Sequence, residues 1–462
     1  MANTNPARGM RDFLPAQVRQ REYVISIIKE VYESYGFEPL ETPAVENLET
    51  LTGKYGEEGN QLIYKILKRG EKLDPNAPEK DLSDLALRYD LTVPLARVVA
   101  NHKNDLPKFF KRYQIQPVWR ADRPARGRYR EFYQCDVDAI GSSSMIVEAE
   151  LISAVCEILH KLGFKDFEIR LNHRKVLTGY LNEKGVSFEK HIDVLVVIDK
   201  LNKIGKNGVR QELINQGIPE ETIDGIEELF NSFEASGRSI EQWNNTFYLV
   251  AGNFFQSEEM TEGLDDFRSI GKYTTNSFAE GKVRFDISLA RGLSYYTGAI
   301  MEIILTDGDF LGSIGGGGRY DGLIGMFGKE QIPACGFTLG LERILIVMEE
   351  RGMFPKELNT NSADVLVTIW NEETIGESLK LANDLRQKGL RVFVYPESDK
   401  LGKQFKYAAQ INVPFVCVLG ESELAENKVT LKNMETGEQE TIERDEAAAR
   451  VKIHKQNSQS KS

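Results

Sequence analysis

Residues 108–134 read KFFKRYQIQPVWRADRPARGRYREFYQ and contain eight lysine or arginine residues against two acidic ones. Apolar and aromatic residues lie at both ends, and the middle is rich in arginine, with Pro124 and Gly127 among the charges. This order predicts two strands joined by a basic loop. Arginine suits such a loop because its planar guanidinium binds phosphate oxygens in pairs and keeps its charge when water is removed. A patch for RNA backbone, or a solvated surface, is the alternative explanation.

Two further stretches carry chemical motifs. Residues 289–298 read LARGLSYYTG and lie between predicted strands at 283–287 and 301–305. An arginine and two adjacent tyrosines in such a turn could converge on a small polar ligand, although a surface arginine beside core tyrosines would have the same sequence. Residues 334–348, ACGFTLGLERILIVM, predict a glycine-containing strand that leads into an amphipathic helix.

Composition narrows the classes of protein. The chain has 462 residues, which predicts two or three domains, and 41% of its residues are hydrophobic, enough for substantial cores. Neither a run of about 18 apolar residues nor a secretory signal is present, so we expect a protein of the reducing cytoplasm. The four cysteines and five histidines are scattered, which argues against a zinc site and against a disulfide framework.

Charge and missing motifs exclude other functions. A net charge of −12 weighs against indiscriminate binding of nucleic acid but leaves room for a tRNA held by local basic patches. The phosphate-loop motif GxxxxGK[ST] does not occur in the sequence. The glycine run at 315–318 lacks the spacing of a dinucleotide site. It predicts instead a strand that lies against a ligand without side-chain obstruction.

The LARGLSYYTG string resembles the histidine-specific signature of histidyl-tRNA synthetases, a family of class II aminoacyl-tRNA synthetases. Other stretches are similar to the three motifs of that class. An amphipathic helix at 15–35 followed by the proline-interrupted strand FEPLETPAV at 37–45 resembles motif 1, with Pro43 in the place of its proline. Residues 108–134 resemble motif 2, and residues 334–348 resemble motif 3.

This resemblance implies an α+β fold, with the antiparallel sheet and flanking helices of class II synthetases, a helical insertion and a C-terminal α/β anticodon-binding domain. The catalytic core is expected at residues 1–173, with motifs 1 and 2, and at 274–355, with the histidine signature and motif 3. The mostly helical insertion is expected at 174–273. The anticodon-binding domain is expected at 363–450, where predicted strands and helices alternate, and a disordered tail at 451–462.

The resemblance also implies an activity: ATP-dependent ligation of L-histidine to tRNA(His) through a histidyl-adenylate, with release of AMP and diphosphate. ATP is then a substrate and Mg²⁺ accompanies its outer phosphates. The expected assembly is a cytoplasmic homodimer without a membrane partner, and no metal site made of protein ligands is expected. A regulatory relative, such as the regulatory subunit of ATP phosphoribosyltransferase, is the main alternative. A tRNA-sensing module attached to a kinase is a second alternative, but the sequence has no kinase motif.

Matched position by position, the resemblance assigns site residues. Arg291 and Arg120 are the expected catalytic residues. The expected histidine-binding residues are Asp90, Thr92, Arg120, Gln134, Asp138, Arg291, Tyr295 and Tyr296. The expected ATP-binding residues are Arg120, Asp122, Arg128 and Arg343.

Three positions depart from the family pattern. Ser294 stands where the signature usually has Asp, and Asp90 and Asp138 stand where some relatives use Glu.

Overall fold

A computed structural model describes residues 3–52, 60–74, 76–78, 81–235, 257–290, 296–308, 312–328, 330–355, 358 and 363–459. The chain divides into two compact units, Met1–Phe354 and Pro355–Ser462. Each unit contains its own sheet and its own buried apolar clusters.

A mixed sheet forms the centre of the first unit. In chain order the strands of this unit are β1 (Glu38–Pro39), β2 (Val45–Asn47), β3 (Lys65–Leu67), β4 (Ser83–Leu87), β5 (Phe110–Trp119), β6 (Glu131–Ile140), β7 (Phe167–His173), β8 (Val283–Phe285), β9 (Ala299–Leu305), β10 (Ser313–Arg319) and β11 (Ala334–Gly340). Within the described ranges the large sheet has eight strands in the order β1-β5-β6-β11-β10-β9-β7-β8. The pairs β1–β5 and β7–β8 are parallel, and the other neighbours are antiparallel. The predicted α+β class, with its largely antiparallel sheet, is confirmed.

Helices flank this sheet. The helices of the first unit are α1 (Pro15–Ser34), α2 (Leu48–Leu51), α3 (Thr92–Asn101), α4 (Ile146–Lys161), α5 (Arg174–Glu183), α6 (Phe188–Ile198), α7 (Leu201–Asn215), α8 (Glu220–Ala235), α9 (Glu258–Thr274) and α10 (Leu341–Glu350). Apolar residues of α1 and α4, such as Val24, Ile28 and Leu151, share one buried cluster with Val137 of β6. Helices α5 to α9 occupy the described part of the segment expected to be an insertion.

The two faces of β5, β6 and β11 differ in chemistry because successive side chains of a strand point to opposite faces. Odd-numbered residues such as Tyr113, Val137 and Phe337 belong to the large apolar cluster. Even-numbered residues in the middle of β5 and β6 are polar, as in Gln114 and Asp136. This sheet therefore has an apolar face covered by helices and a polar face that is available for a site.

The motif 1 strand differs from its prediction. One strand was expected at 37–45, but β1 lies at the edge of the large sheet and β2 belongs to a separate sheet with the order β2-β4-β3. The prolines at 39 and 43 explain the break, since proline has no N–H to donate to a strand ladder. Pro39 itself lies in β1, at the edge of the large sheet.

The second unit contains a five-stranded sheet within the described residues, in the order β13-β12-β14-β15-β16. Its strands are β12 (Val365–Val367), β13 (Val392–Val394), β14 (Phe415–Val418), β15 (Lys428–Asn433) and β16 (Gln439–Glu443), and its helices are α11 (Ile375–Gln387), α12 (Leu401–Gln410), α13 (Glu421–Ala425) and α14 (Ala447–Gln459). The first three strands are parallel, as the alternation of strands and helices predicted. The antiparallel hairpin of β15 and β16 was not predicted.

The end of the chain corrects one expectation. Helix α14 continues to Gln459, into residues 451–462 that were expected to form a disordered tail. The physical reason is burial: Ala447, Ala448 and Val451 pack in the apolar cluster of the second unit, and this packing anchors the start of the helix.

Candidate active site

A cavity of about 390 Å³ opens on the polar face of the large sheet. Most of the site residues expected from the sequence line this one cavity: Asp90, Thr92, Arg120, Asp122, Arg128, Gln134, Asp138, Tyr296 and Arg343. The other two, Arg291 and Tyr295, lie outside the described residues, as does Ser294. Side chains from both halves of the predicted core are thus brought together.

Strand register builds three rows, whose members on β6 and β11 form the floor of the cavity and whose members on β5 lie beside it. Antiparallel pairing places Gln116 opposite Gln134, Gln114 opposite Asp136, and Arg112 opposite Asp138. The neighbouring strand β11 extends these rows with Gly340, Thr338 and Gly336, in the same order. Arg112, Asp136 and Thr338 were not singled out from the sequence, although the period-two alternation in RYQIQP and QCDVDA marks the polar face.

Arg120 follows the last residue of β5 and is held in a fixed plane. Its Nε donates to the carbonyl oxygen of Tyr89 at 2.9 Å. The guanidinium lies 4.3 Å from the centre of the Tyr89 ring and 5.2 Å from that of Phe132. Stacking of this kind orients a guanidinium without neutralising it, so Arg120 presents a preoriented positive charge to the cavity.

The basic loop between β5 and β6 is braced by the N-terminal segment. The carbonyl oxygen of Gly9 accepts the backbone N–H of Arg130 at 2.8 Å, and Arg11 donates to the hydroxyl of Tyr129 at 3.1 Å. Within the loop, Arg128 lies 4.0 Å from the Asp122 carboxylate. The bracing residues were not predicted as part of the site, since the partners are more than a hundred residues apart.

Asp138 is the most enclosed acid of the floor, with 2% of its surface exposed. Arg112 pairs with its Oδ2 at 2.8 Å, and the hydroxyl of Tyr320 donates to its Oδ1. Burial raises the pKa of Asp138, whereas Arg112 and the Tyr320 hydroxyl act in the opposite direction. The charge of Arg112 and the hydroxyl of Tyr320 therefore favour the carboxylate form, and the buried Oδ2 accepts no hydrogen bond from the described residues, so it keeps its lone pairs for a ligand.

Asp90 and Gln134 lie on another side of the cavity. One oxygen of the buried Asp90 carboxylate accepts the N–H of Val93 at 3.0 Å, at the start of α3. The Gln134 amide oxygen is buried and accepts no hydrogen bond from any residue that the structure describes. A buried acceptor without a donor is costly, so this oxygen points to a ligand that donates hydrogen bonds.

Arg343 lies in the first turn of α10, where its Nη1 donates to the carbonyl oxygen of Ser313. The preceding residue, Glu342, accepts the backbone N–H of Tyr133 at 3.1 Å and so ties this helix to β6. The resulting geometry places one arginine from motif 3 in the same cavity as Arg120 from motif 2.

The glycine run of β10 has two uses. Gly315, Gly316 and Gly317 line the cavity, as expected for a strand that lies against a ligand. A Cβ at Gly317 would also lie 2.1 Å from the carbonyl oxygen of Gly336. Close strand packing therefore requires glycine there as well.

Asp136 gives a test of the electrostatics of the floor. Burial raises its pKa from the ordinary value of 3.8 to about 7, with Arg112 opposing the rise. The folded state then binds this proton more tightly than the unfolded chain, so stability is lost as the pH rises from about 4 to about 7. We expect Asp136→Asn to abolish this loss and to raise the free energy of unfolding at pH 8 by on the order of 1–4 kcal/mol.

Urea denaturation of both proteins at pH 4.5 and pH 8, without substrates, measures the effect. The gain should be small at pH 4.5, where the native carboxyl is already neutral. An equal gain at both pH values would contradict the assignment.

The described residues show neither a cluster of metal ligands nor a membrane-spanning helix. Within the described part of the chain, no group of three or more His, Cys, Asp or Glu side chains could hold a metal ion. Likewise, none of the described helices is long and apolar enough to cross a membrane. The four cysteines are free and buried, and burial raises the pKa of each thiol.

Comparisons with known proteins agree across both units. Residues 9–344 match the family model described as histidyl-tRNA synthetase, and residues 364–454 match that of the anticodon binding domain. A histidine–tRNA ligase of Porphyromonas gingivalis is 44% identical over 451 residues, covering 95% of this chain and 97% of that relative. One of Christiangramia forsetii is 41% identical over 448 residues, covering 94% and 96%.

Solved structures give the same result. The crystal structure of histidyl-tRNA synthetase from Nostoc sp. PCC 7120 superposes with a TM-score of 0.80 at 33% identity, covering 98% of this chain and all of that one. A Bacillus halodurans structure described as an ATP phosphoribosyltransferase regulatory subunit/histidyl-tRNA synthetase has a TM-score of 0.73 at 20% identity and covers 90% of this chain and 99% of that one. At that identity the second likeness shows the fold alone.

Proposed function

The chain belongs to the histidyl-tRNA synthetase family, and from this membership we propose how its cavity performs the reaction. The activity is the ATP-dependent ligation of L-histidine to tRNA(His) through a histidyl-adenylate, with release of AMP and diphosphate. The observation that carries the assignment of the cavity is the presence of Arg120, Arg343 and the buried Asp138 in one lining.

The α-amino group of histidine is bound by acceptors. Asp90, Thr92 and Gln134 take this role, and the open amide oxygen of Gln134 supports it. An ammonium group has three donors and no acceptor, so three oxygens complete its hydrogen bonds.

The imidazole ring is bound at both nitrogens. Asp138 accepts from one ring N–H, and the hydroxyl of Tyr296 serves the other nitrogen; Tyr295 is assigned to histidine binding from the sequence motif alone. A neutral imidazole donates from one nitrogen and accepts at the other, which suits this pair. A site built around buried hydrogen bonds rejects ligands that lack them by about 10⁴-fold or more, so such a pocket separates histidine from other amino acids.

ATP is bound by the basic loop and by motif 3. Asp122 lies near the adenine, Arg128 near the distal phosphates and Arg343 at the γ-phosphate. Arg120 contacts both the α-phosphate and the carboxylate of histidine. Mg²⁺ would be held mainly by the phosphates of ATP, since it usually binds through phosphates and few carboxylates, and it would neutralise part of their charge.

The reaction has two steps: a nucleophilic attack at the α-phosphorus of ATP and a second one at the carbonyl carbon of the adenylate. A carboxylate oxygen of histidine attacks the α-phosphorus, the bond to the β-phosphate oxygen breaks, and diphosphate leaves. The terminal ribose hydroxyl of the tRNA then attacks the carbonyl carbon of the adenylate, loses its proton, and AMP leaves. Arg120 stabilises the negative charge that develops on the α-phosphate, and Arg291, assigned from the sequence motif alone, is the second catalytic cation.

The second unit binds the anticodon of tRNA(His), as its match to the anticodon-binding family supports. Lys400, Lys403 and Lys406 recur every three residues at the start of α12 and are candidates for RNA contacts. Of these, Lys403 already pairs with Asp399 at 2.8 Å, so its contact would exchange one partner for another. We propose that the enzyme is a homodimer, on the resemblance of residues 15–45 to motif 1, and that it acts in the reducing cytoplasm, in keeping with its four free cysteines.

ATP–pyrophosphate exchange with each of the twenty amino acids tests the function. We expect exchange with histidine and, because of the paired imidazole contacts, about 10⁴-fold less with the others. Exchange that does not depend on histidine would contradict the assignment. Absence of any exchange would favour the regulatory alternative. The match of residues 364–454 to the anticodon-binding family argues against that alternative.

A further inference from the structure

The row that contains Asp138 is built from three strands. Arg112 of β5 lies directly opposite Asp138, and Gly336 of β11 lies opposite it on the other side. The Arg112 side chain has no exposed surface, and it is absent from the cavity lining formed by the described residues. Its Nη2 lies 2.8 Å from Oδ2 of Asp138 and donates a hydrogen bond to the carbonyl oxygen of Leu91 at 3.3 Å.

The glycine determines where the carboxylate can go. A Cβ at position 336 would lie 1.9 Å from Oδ1 of Asp138, so the carboxylate occupies the space that any other residue would fill. From this place Oδ1 accepts the hydroxyl of Tyr320, which follows β10. The Asp138 carboxylate is thus held by the Arg112 cation at one oxygen and by the Tyr320 hydroxyl at the other. The missing side chain of Gly336 leaves the space that the carboxylate occupies.

We propose that Arg112 is a positioning residue for histidine recognition, which holds the Asp138 carboxylate in the orientation that the imidazole ring requires without itself touching the amino acid. Tyr320 holds the second oxygen of the same carboxylate. The inference rests on the proposed contact between Asp138 and the imidazole ring. It adds two residues to the determinants of specificity, neither of which carries a role in the function proposed above.

The physical basis is the cost of an unpaired buried charge. Asp138 lies near two other acids of the cavity, Asp90 and Asp136, and all three are buried. Without Arg112, the Asp138 carboxylate would lose its cation in a site where burial already favours the protonated acid. A protonated or turned carboxyl is a poorer acceptor for the imidazole N–H. Binding of ATP does not use this contact, so the two substrates should respond differently.

The test is the steady-state ATP–pyrophosphate exchange of the full-length variant Arg112→Gln. We expect the KM for histidine to rise about 10- to 100-fold, because the buried Asp138 loses the cation of its ion pair, while the KM for ATP changes less than about threefold. Arg112→Lys retains a cation and should recover part of the loss. Tyr320→Phe removes only the hydroxyl and should give a smaller, equally selective rise.

A matched control is available on the opposite face of the sheet. Arg319 of β10 is 4% exposed and pairs with the buried Glu148 at 2.6 Å, in an odd-numbered row that faces away from the cavity. Arg319→Gln should lower the thermal stability without a selective rise in the KM for histidine. An equal selective rise in this control would overturn the proposal, because it would show a general effect of losing a buried ion pair.

Asp138→Asn distinguishes the imidazole contact of Asp138 from the positioning role of Arg112. If it leaves the KM for histidine unchanged, the imidazole contact itself is wrong. If Asp138→Asn raises that KM and Arg112→Gln does not, the contact stands and the positioning role of Arg112 is overturned. Should Arg112→Gln fail to fold, Tyr320→Phe decides: a selective rise supports the positioning of Asp138, and an unchanged ratio of the two KM values overturns it.

Discussion

Replacement of Arg120 by alanine is expected to lower kcat for histidine-dependent ATP–pyrophosphate exchange by about 10³-fold. The guanidinium is preoriented by the carbonyl oxygen of Tyr89 and by two aromatic rings, so it needs no reorganisation when charge develops on the α-phosphate. It is also the residue assigned to both substrates. The loss should therefore fall on kcat more than on either KM, as for an interaction that strengthens in the transition state.

Two variants sharpen this test. Arg120→Lys keeps a positive charge but loses the planar fork and its stacking, so it should remain far below the unmodified enzyme. Arg126→Ala removes an arginine of the same loop that pairs with the exposed Glu350 outside the cavity lining, and exchange should stay within about threefold. A large loss in Arg126→Ala, or a small one in Arg120→Ala, would contradict the assignment of Arg120.

Removal of residues 355–462 is expected to lower kcat/KM for charging of tRNA(His) by about 100-fold or more and to leave the exchange reaction largely intact. Each unit has its own buried apolar clusters, so the first unit should fold without the second. The cavity residues all belong to the first unit. Loss of stacking contacts to two or three anticodon bases, at about 1–3 kcal/mol each, accounts for the magnitude.

The measurement is aminoacylation of tRNA(His) beside exchange for the truncated and full-length chains, with circular dichroism to verify folding. A folded truncation that charges tRNA at the full rate would show that the second unit contributes nothing to recognition of the tRNA. Equal losses in charging and exchange would show that the first unit depends on the second for its chemistry.

The sequence predicted the elements with strong periodicity and the residues with strong motifs. Strands β5 and β6 and their basic loop were expected from residues 108–134, and the structure places them there. Motif positions such as Arg120, Gln134 and Arg343 were correctly expected to share one cavity. Their individual roles stay predictions.

The residues that were missed depend on contacts between distant parts of the chain. Tyr320 and Asp138 are separated by 182 positions, so no local pattern reveals their hydrogen bond. Arg112 looked like one of many basic residues near a loop, and only the strand register shows that it faces an acid. The β15–β16 hairpin was not predicted for a different reason. Polar residues dominate its exposed face, so its sequence resembles that of a loop.

The two-faced pattern of β6 has a consequence for how this protein can diverge. Every second residue serves the cavity and the others serve the apolar interior, as Asp138 and Val137 illustrate. Insertion or deletion of one residue within the strand would exchange the two sets and bury the acid among hydrocarbons. In the descendants of this chain, loops can therefore gain or lose residues, whereas β6 can change only by substitution and keeps its length.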